Sequence, residues 1–174
     1  MKSAENNKEL KQFFARTSEP VLKQQLADRN LSFYRVPGDG NCFFHAVAKA
    51  LNERKYRGRK NWDHVELRKL AVDYMGSKCN RRFSIETIPD NADLQRYITR
   101  MRLPDEFAED QIIVAMGLAL DLEIHVLVIP TKTNQITDFT AGVNLDNARA
   151  LYVYYNLEDH YDALLPCKSK LNKK

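Results

Sequence analysis

Apolar positions along this chain follow two rhythms, and the change from one to the other comes late. Past the turn PGDGN at residues 37–41, Phe43, Phe44, Ala46, Val47, Ala50 and Leu51 recur at helical intervals and predict a helix from Cys42. A clearer stripe follows at Leu67, Leu70, Ala71, Tyr74 and Met75, spaced i, i+3, i+4, i+7, i+8. Asp63 and Glu66 stand three apart at its start, as in a capping box, and Gly76 marks its end. Ile112, Ile113, Ala115, Met116 and Leu120 predict a third helix from about Asp105 to Leu120. Upstream, Ser18 as a cap and Pro20 in the first turn predict a helix reaching about Ala27.

The second rhythm is that of strands. EIHVLVIP, at residues 123–130, is a dense apolar run closed by proline and reads as a buried strand. ALYVYYN, at 150–156, is β-branched and aromatic; the turn-like NLED separates it from HYDALL, a last strand at 160–165. LSFYRV, at 31–36, is short and partly β-prone. Helices early and strands late predict an α+β chain, a small sheet packed by helices. No repeat or low-complexity linker divides it, so one domain over residues 18–166 is expected. A polar extension with some helical character (1–17) precedes it and a basic tail (167–174) follows.

Charge and cysteine content narrow the classes. The net charge of +4 is modest, and RKYRGRK at 54–60 lacks a nucleic-acid motif, so it reads as a solvated loop and nucleic-acid binding is disfavoured. No apolar run approaches the ~20 residues of a membrane helix, and the N-terminus is too polar for a secretory signal. Cys42, Cys79 and Cys167 are widely spaced and fit neither a disulfide framework nor a zinc site. The expectation is a soluble monomer in a reducing, cytosolic compartment, of its own cell or of a host receiving an effector.

Cys42 is the candidate for chemistry. It stands where a turn with Gly38 and Gly40 meets a helix start, and helix N-termini carry unpaired N–H donors and about +0.5 of a charge. Such a place stabilises a thiolate, and convergent N–H groups can hold an oxyanion. Locally, a turn and cap around a buried cysteine explains the same residues about as well. A nucleophile needs a general acid. His45, three residues on, has no obvious carboxylate partner; His64 opens a helix; His125 lies in a buried-strand pattern. His160 and Asp162 stand two apart in a strand and so share a face, with Tyr161 pointing the other way. A carboxylate beside an imidazole can hold its tautomer and stabilise its charged form.

YRVPGDGNCFFHAV (34–47) together with HYDALL resembles the ovarian-tumour (OTU) family of cysteine proteases. ELRKLAVDYM, LALDLEIHVLVI and ALYVYYNLEDHYDALL resemble the intervening family elements in order, over about residues 31–166. The resemblance implies a papain-like OTU fold, with a small, mostly antiparallel sheet packed between helices. It implies a thiol isopeptidase acting on ubiquitin, polyubiquitin or a ubiquitin-like modifier, with a mechanism that needs no metal or organic cofactor. Cys42 would be the nucleophile, His160 the base and acid, and Asp162 its orienter. Asp39 would belong to the site, chiefly as a loop-shaping residue, and Gly40 and Asn41 would shape the loop that holds the oxyanion. Two departures stand out: His45 where many members have arginine, and LPDEFAED without tryptophan ahead of the third helix. Asp90, Asp93, Asp105, Glu106, Glu109 and Asp110 could meet the arginines of a ubiquitin tail, or form a solvated acidic face. The rival readings are an OTU-like module that binds ubiquitin without cleaving it, and a thiol hydrolase of an unrelated acyl substrate.

Overall fold

The computed structural model of the protein describes residues 19–77, 91–128, 137–142, 150–156 and 158–167. The expected N-terminal extension, Ser18, Cys79, Asp90 and most of the basic tail lie outside the described residues.

The chain order is α1 (Glu19–Asp28), β1 (Leu31–Tyr34), α2 (Cys42–Glu53), a short 3-10 turn (Tyr56–Gly58), α3 (His64–Gly76), α4 (Asn91–Met101) and α5 (Asp110–Leu120). Then come β2 (Glu123–Val128), β3 (Thr137–Gly142), β4 (Ala150–Tyr155) and β5 (Tyr161–Pro166). The five strands form one sheet in the order β1-β5-β4-β2-β3. Every pairing is antiparallel except β2 with β4.

Helices cover both faces of that sheet. Leu22 and Leu26 of α1 bury against Leu31, Phe33, Leu127, Tyr154 and Leu164. The larger core lies on the other face, where α2 to α5 pack on Ile124, Val126, Leu151, Val153, Tyr161, Ala163 and Leu165. β5 is central and covered on both sides, so all of it but Pro166 is buried. Helix α2 is buried nearly all round, with Phe43, Phe44, Ala46, Val47, Ala50 and Leu51 each at most 1% exposed. Its residues thus anchor the end that carries Cys42.

Several expectations hold. Asp63 caps α3, its side chain accepting the Glu66 N–H at 2.8 Å. Asp121 adopts the left-handed conformation at the end of α5, which turns the chain straight into β2. Others shift. The buried stripe of α3 is Leu67, Arg68, Ala71, Val72 and Met75, so an arginine lies within the apolar face. The third predicted helix starts at Asp110 and not near Asp105, because Gly40 packs on the Asp105 backbone and Arg68 of α3 takes the Glu106 carbonyl. Helix α4 and strand β3 were not expected. RKYRGRK lies at the surface as expected, with Lys55, Arg57, Gly58 and Lys60 exposed, but its arginines are tied down: Arg54 reaches the Ala150 carbonyl, and Arg57 the Leu120 carbonyl at 3.2 Å. Arg59 forks onto Glu66 at 2.7 and 2.8 Å and lies 4.0 Å over the Trp62 ring.

Candidate active site

Four stretches distant in sequence meet at Cys42: residues 36–42, the Arg68 turn of α3, residues 101–108, and the β4–β5 turn. Each is placed by local chemistry.

The turn into β5 positions His160. Asn156 accepts two backbone N–H groups on its side chain, from Glu158 at 2.8 Å and His160 at 3.1 Å, and its own N–H donates to the His160 carbonyl at 3.1 Å. Asp159 supplies the left-handed residue the turn needs (φ 58°). The strand then sends Tyr161 into the helical core, while Asp162 takes the opposite face, as the two-residue spacing predicted. His160 Nε2 lies 3.1 Å from Asp162 Oδ1, and the same oxygen accepts the Val36 N–H at 2.9 Å. Asp162 is 1% exposed. The Cys42 thiol stands beside the same ring and acts on its protonation. The Asp162 bond first, and the Cys42 thiol second, raise the His160 pKa to about 9 despite burial, so the imidazolium dominates at neutral pH.

Cys42 is itself buried, and its sulfur accepts the Tyr161 N–H at 3.4 Å. Its own N–H bonds the Asp39 carbonyl at 3.1 Å. Beside it, Tyr161 stacks on Tyr155 (4.8 Å) and Phe107 (5.3 Å) and meets Phe43 edge-on. Its hydroxyl donates to the Ala108 carbonyl at 3.2 Å. Phe107 therefore supplies an aromatic ring in the segment that lacks tryptophan.

Asp39 faces the loop and its neighbours. Its Oδ1 accepts the Asn41 N–H at 2.8 Å, and its Oδ2 lies 3.2 Å from His45 Nε2. His45 thus has the carboxylate partner that sequence spacing hid, and its ring lies 4.1 Å from that of His64. Burial pushes the Asp39 carboxyl up, but the Asn41 N–H and the His45 and His64 rings outweigh it and its pKa ends lowered. Burial first, then His45, lowers His64.

Sequence reasoning missed Arg68. It is 4% exposed and bonds four acceptors: the Asn41 side chain (2.9 and 3.1 Å), and the carbonyls of Gly40 (2.9 Å), Met101 (3.1 Å) and Glu106 (2.7 Å). The Asn41 side chain is spent on Arg68 and does not cap α2. Burial lowers the Arg68 pKa, with Asp105, Glu106, Asp39 and Cys42 acting the other way. Gly40 packs so closely on the 105 backbone that a Cβ there would lie 1.9 Å from the Asp105 carbonyl oxygen. Gly38 faces His160 with room to spare, at 3.8 Å.

The other sequence candidates lie elsewhere. His125 stacks on Tyr152 in the sheet at 4.7 Å, near Glu123 at 3.5 Å. Glu106 and Glu109 bind Arg100, at 3.3 and 2.8 Å, and Asp93 pairs with Arg96, so these three acids already hold cations of this chain. Among the described residues no three His, Cys, Asp or Glu side chains form a metal cluster, and no helix is long and apolar enough to cross a membrane.

A thiol at a helix start, beside an imidazole that is hydrogen-bonded to a buried carboxylate, on an α+β frame, describes the cysteine-protease class. The family of OTU-like cysteine proteases matches residues 37–161, and the chain belongs to it. It is 27% identical over 141 residues to OTU domain-containing protein 3 of Mus musculus, covering 80% of this chain and 32% of that protein. It is 28% identical over 155 residues to the deubiquitinase OTUD6B of Homo sapiens, covering 82% and 49%. The chain thus spans less than half the length of either relative. Its fold matches the OTU domain of OTUD1 with a TM-score of 0.66 at 23% identity, covering 83% of this chain and 92% of that one. It matches a ubiquitin-bound OTU deubiquitinase from Wolbachia pipientis wMel with a TM-score of 0.60 at 16% identity, covering 80% and 98%. The fold is the papain-like OTU fold.

Proposed function

We propose that the protein is a deubiquitinase, a thiol isopeptidase that hydrolyses the bond between the C-terminal glycine of ubiquitin and a lysine amine. The observation that carries this reading is the His160–Asp162 hydrogen bond, set beside the Cys42 thiol at a helix start, within a chain of the OTU family. The sulfur of Cys42 attacks the glycine carbonyl. The charge that develops on oxygen falls beside the nucleophile loop, where the N–H groups of Asn41 and Cys42 are engaged by Asp39 and that of Gly40 has no partner among the described residues. The His160 imidazolium gives its proton to the leaving amine, and the neutral ring then takes a proton from water as the water attacks the thioester. Asp162, fixed by the Val36 N–H, keeps the ring turned to the sulfur. The aromatic cluster of Phe107, Tyr155 and Tyr161 beside Cys42 suits the narrow end of such a tail, whose last two glycines have no side chains to accommodate.

The test is incubation with ubiquitin carrying a thiol-reactive group at its C-terminus, followed by intact-mass measurement. One ubiquitin should add to the wild type and none to Cys42→Ala, with His160→Ala reacting more slowly. A folded protein whose Cys42 reacts with a small alkylating agent but not with this probe is not a deubiquitinase.

A further inference from the structure

Arg68 belongs to no part of the acid–base series, yet it is the one buried cation among the described residues. A buried guanidinium without a role is expensive, because its desolvation is not recovered by ordinary packing. Here the donors are matched to acceptors on three segments: the loop at Gly40 and Asn41, the end of α4 at Met101, and the 102–108 segment at Glu106. The Phe44 ring, 4.4 Å from the guanidinium carbon, adds a fourth contact, on α2.

The bond to Gly40 has a directional consequence. The peptide between residues 40 and 41 is planar and trans, so its C=O and N–H point opposite ways. Arg68 holds the C=O from one side while Asp39 Oδ1 holds the Asn41 N–H from the other. That fixes the rotation of the peptide plane one residue ahead of the nucleophile. The Cys42 N–H holds the C=O of the preceding plane, whose Gly40 N–H has no partner among the described residues.

We propose that Arg68 is the positioning residue of the nucleophile loop, its guanidinium setting the orientation of the 40–41 peptide and tying that loop to the 101–106 wall of the cleft. The proposal rests on the deubiquitinase reading for its catalytic consequence, but not for the tie itself. Lysine keeps the charge and loses the fork, since a point ammonium cannot reach four acceptors in one plane. A cavity of about 250 Å³ lined by Asn41, His64, Lys69, Val72, Arg102 and Arg68 itself lies on the α3 side of the loop, beside the place a small planar cation would take in Arg68→Ala.

The experiment uses Arg68→Lys and Arg68→Ala. In Arg68→Lys, kcat on a ubiquitin C-terminal amide should fall by about 10²-fold, the cost of misplacing reacting groups by about 1 Å, with KM near wild type. Alkylation of Cys42 by iodoacetamide should keep its rate, because His160 and the Tyr161 N–H are held by β5 and not by Arg68. Guanidinium chloride at low concentration should restore part of the Arg68→Ala activity, where sodium chloride of equal ionic strength does not. Wild-type kcat in Arg68→Lys, or a parallel loss of alkylation and kcat, overturns the proposal, and so does a folded Arg68→Ala that guanidinium does not rescue. Amide exchange separates this from the wider reading and covers an Arg68→Ala that fails to fold. If the wild type is inert on ubiquitin, faster exchange of residues 37–41 and 101–106 together in Arg68→Lys keeps the tie, and unchanged exchange in both ends it.

Discussion

Gly40→Ala puts the closest contact of the cleft to the test. A methyl at residue 40 would sit 1.9 Å from the Asp105 carbonyl oxygen, 2.3 Å from its carbon and 2.6 Å from its Cα. Carbon and oxygen meet comfortably at about 3.3 Å, so the loop and the 105 backbone must separate by about 1.4 Å. Neither side yields alone: Arg68 holds the Gly40 carbonyl and the Glu106 carbonyl in one grip. Overpacking of this kind costs about 1–3 kcal/mol, partly offset because alanine stiffens the unfolded chain by about 0.4–1 kcal/mol. For a chain of this size each kcal/mol moves Tm by roughly 2–4 °C, so a fall of several degrees is expected. Activity should suffer more, by about 10²-fold, since an ångström of misplacement costs that much. Gly38→Ala is the internal control. Its Cβ would stand 3.8 Å from His160 Nδ1, an ordinary contact, and its backbone is not left-handed. The assays are thermal melts and hydrolysis of a fluorogenic ubiquitin C-terminal amide. If Gly40→Ala melts and turns over like Gly38→Ala, the close approach does not exist in solution.

The raised His160 pKa gives stability a pH dependence of definite sign. Its folded value of about 9 lies above the ordinary value near 6.5, so the contribution is whole below pH about 6.5 and is lost as pH rises through about 9. Thermal melts from pH 6 to 10 should show this fall, and Asp162→Asn should flatten it and move the alkaline limb of kcat/KM to lower pH; an unchanged limb in Asp162→Asn would remove Asp162 as the orienter. For Asp39 the sign is opposite: its lowered pKa gives stability that is present above the ordinary carboxylate pKa of about 3.9 and is lost as pH falls through the folded value. Asp39→Asn keeps an acceptor for the Asn41 N–H and should retain more activity in the fluorogenic assay than Asp39→Ala, and the reverse order would make Asp39 more than a shaper of the loop.

Much of this was legible along the chain, and the misses have physical causes. Two-residue spacing was enough to put His160 with Asp162 and Tyr161 on opposite faces, because a strand leaves no alternative. Helix α3 was legible through Asp63 and its stripe, but the stripe is rotated toward Arg68 and Val72. A charge inside an amphipathic pattern reads as the solvent face, and only its partners on other segments say otherwise. Strand β3 is an edge strand paired with β2 alone, and TDFTAG carries too few apolar residues to announce itself. Helix α4 has its core contacts at Leu94, Tyr97, Ile98 and Met101, four apolar positions in a polar segment whose carboxylates drew attention instead. The late start of α5 is tertiary in origin, since residues 105–108 give their backbone to Gly40, Arg68 and Tyr161.

Among the described residues three polar or charged side chains are buried: Asn41, Arg68 and Asp162. They do not scatter. Asn41 and Arg68 bond one another, and Asp162 joins Val36, just ahead of the same loop, to His160. Everywhere else the interior follows the hydrophobic rule, and Arg54, Arg57 and Arg59 satisfy theirs at the surface against carbonyls and Glu66. Stability alone would not select this concentration, because apolar residues of similar volume would fill the same space at less desolvation cost. Local rules tend to break where geometry must be held for another purpose. One buried carboxylate fixes the imidazole, and one buried guanidinium fixes the peptide beside the sulfur. On the deubiquitinase reading proposed above, the His160–Asp162 pair is one half of the buried polar design, and the loop that would meet the oxyanion is the other.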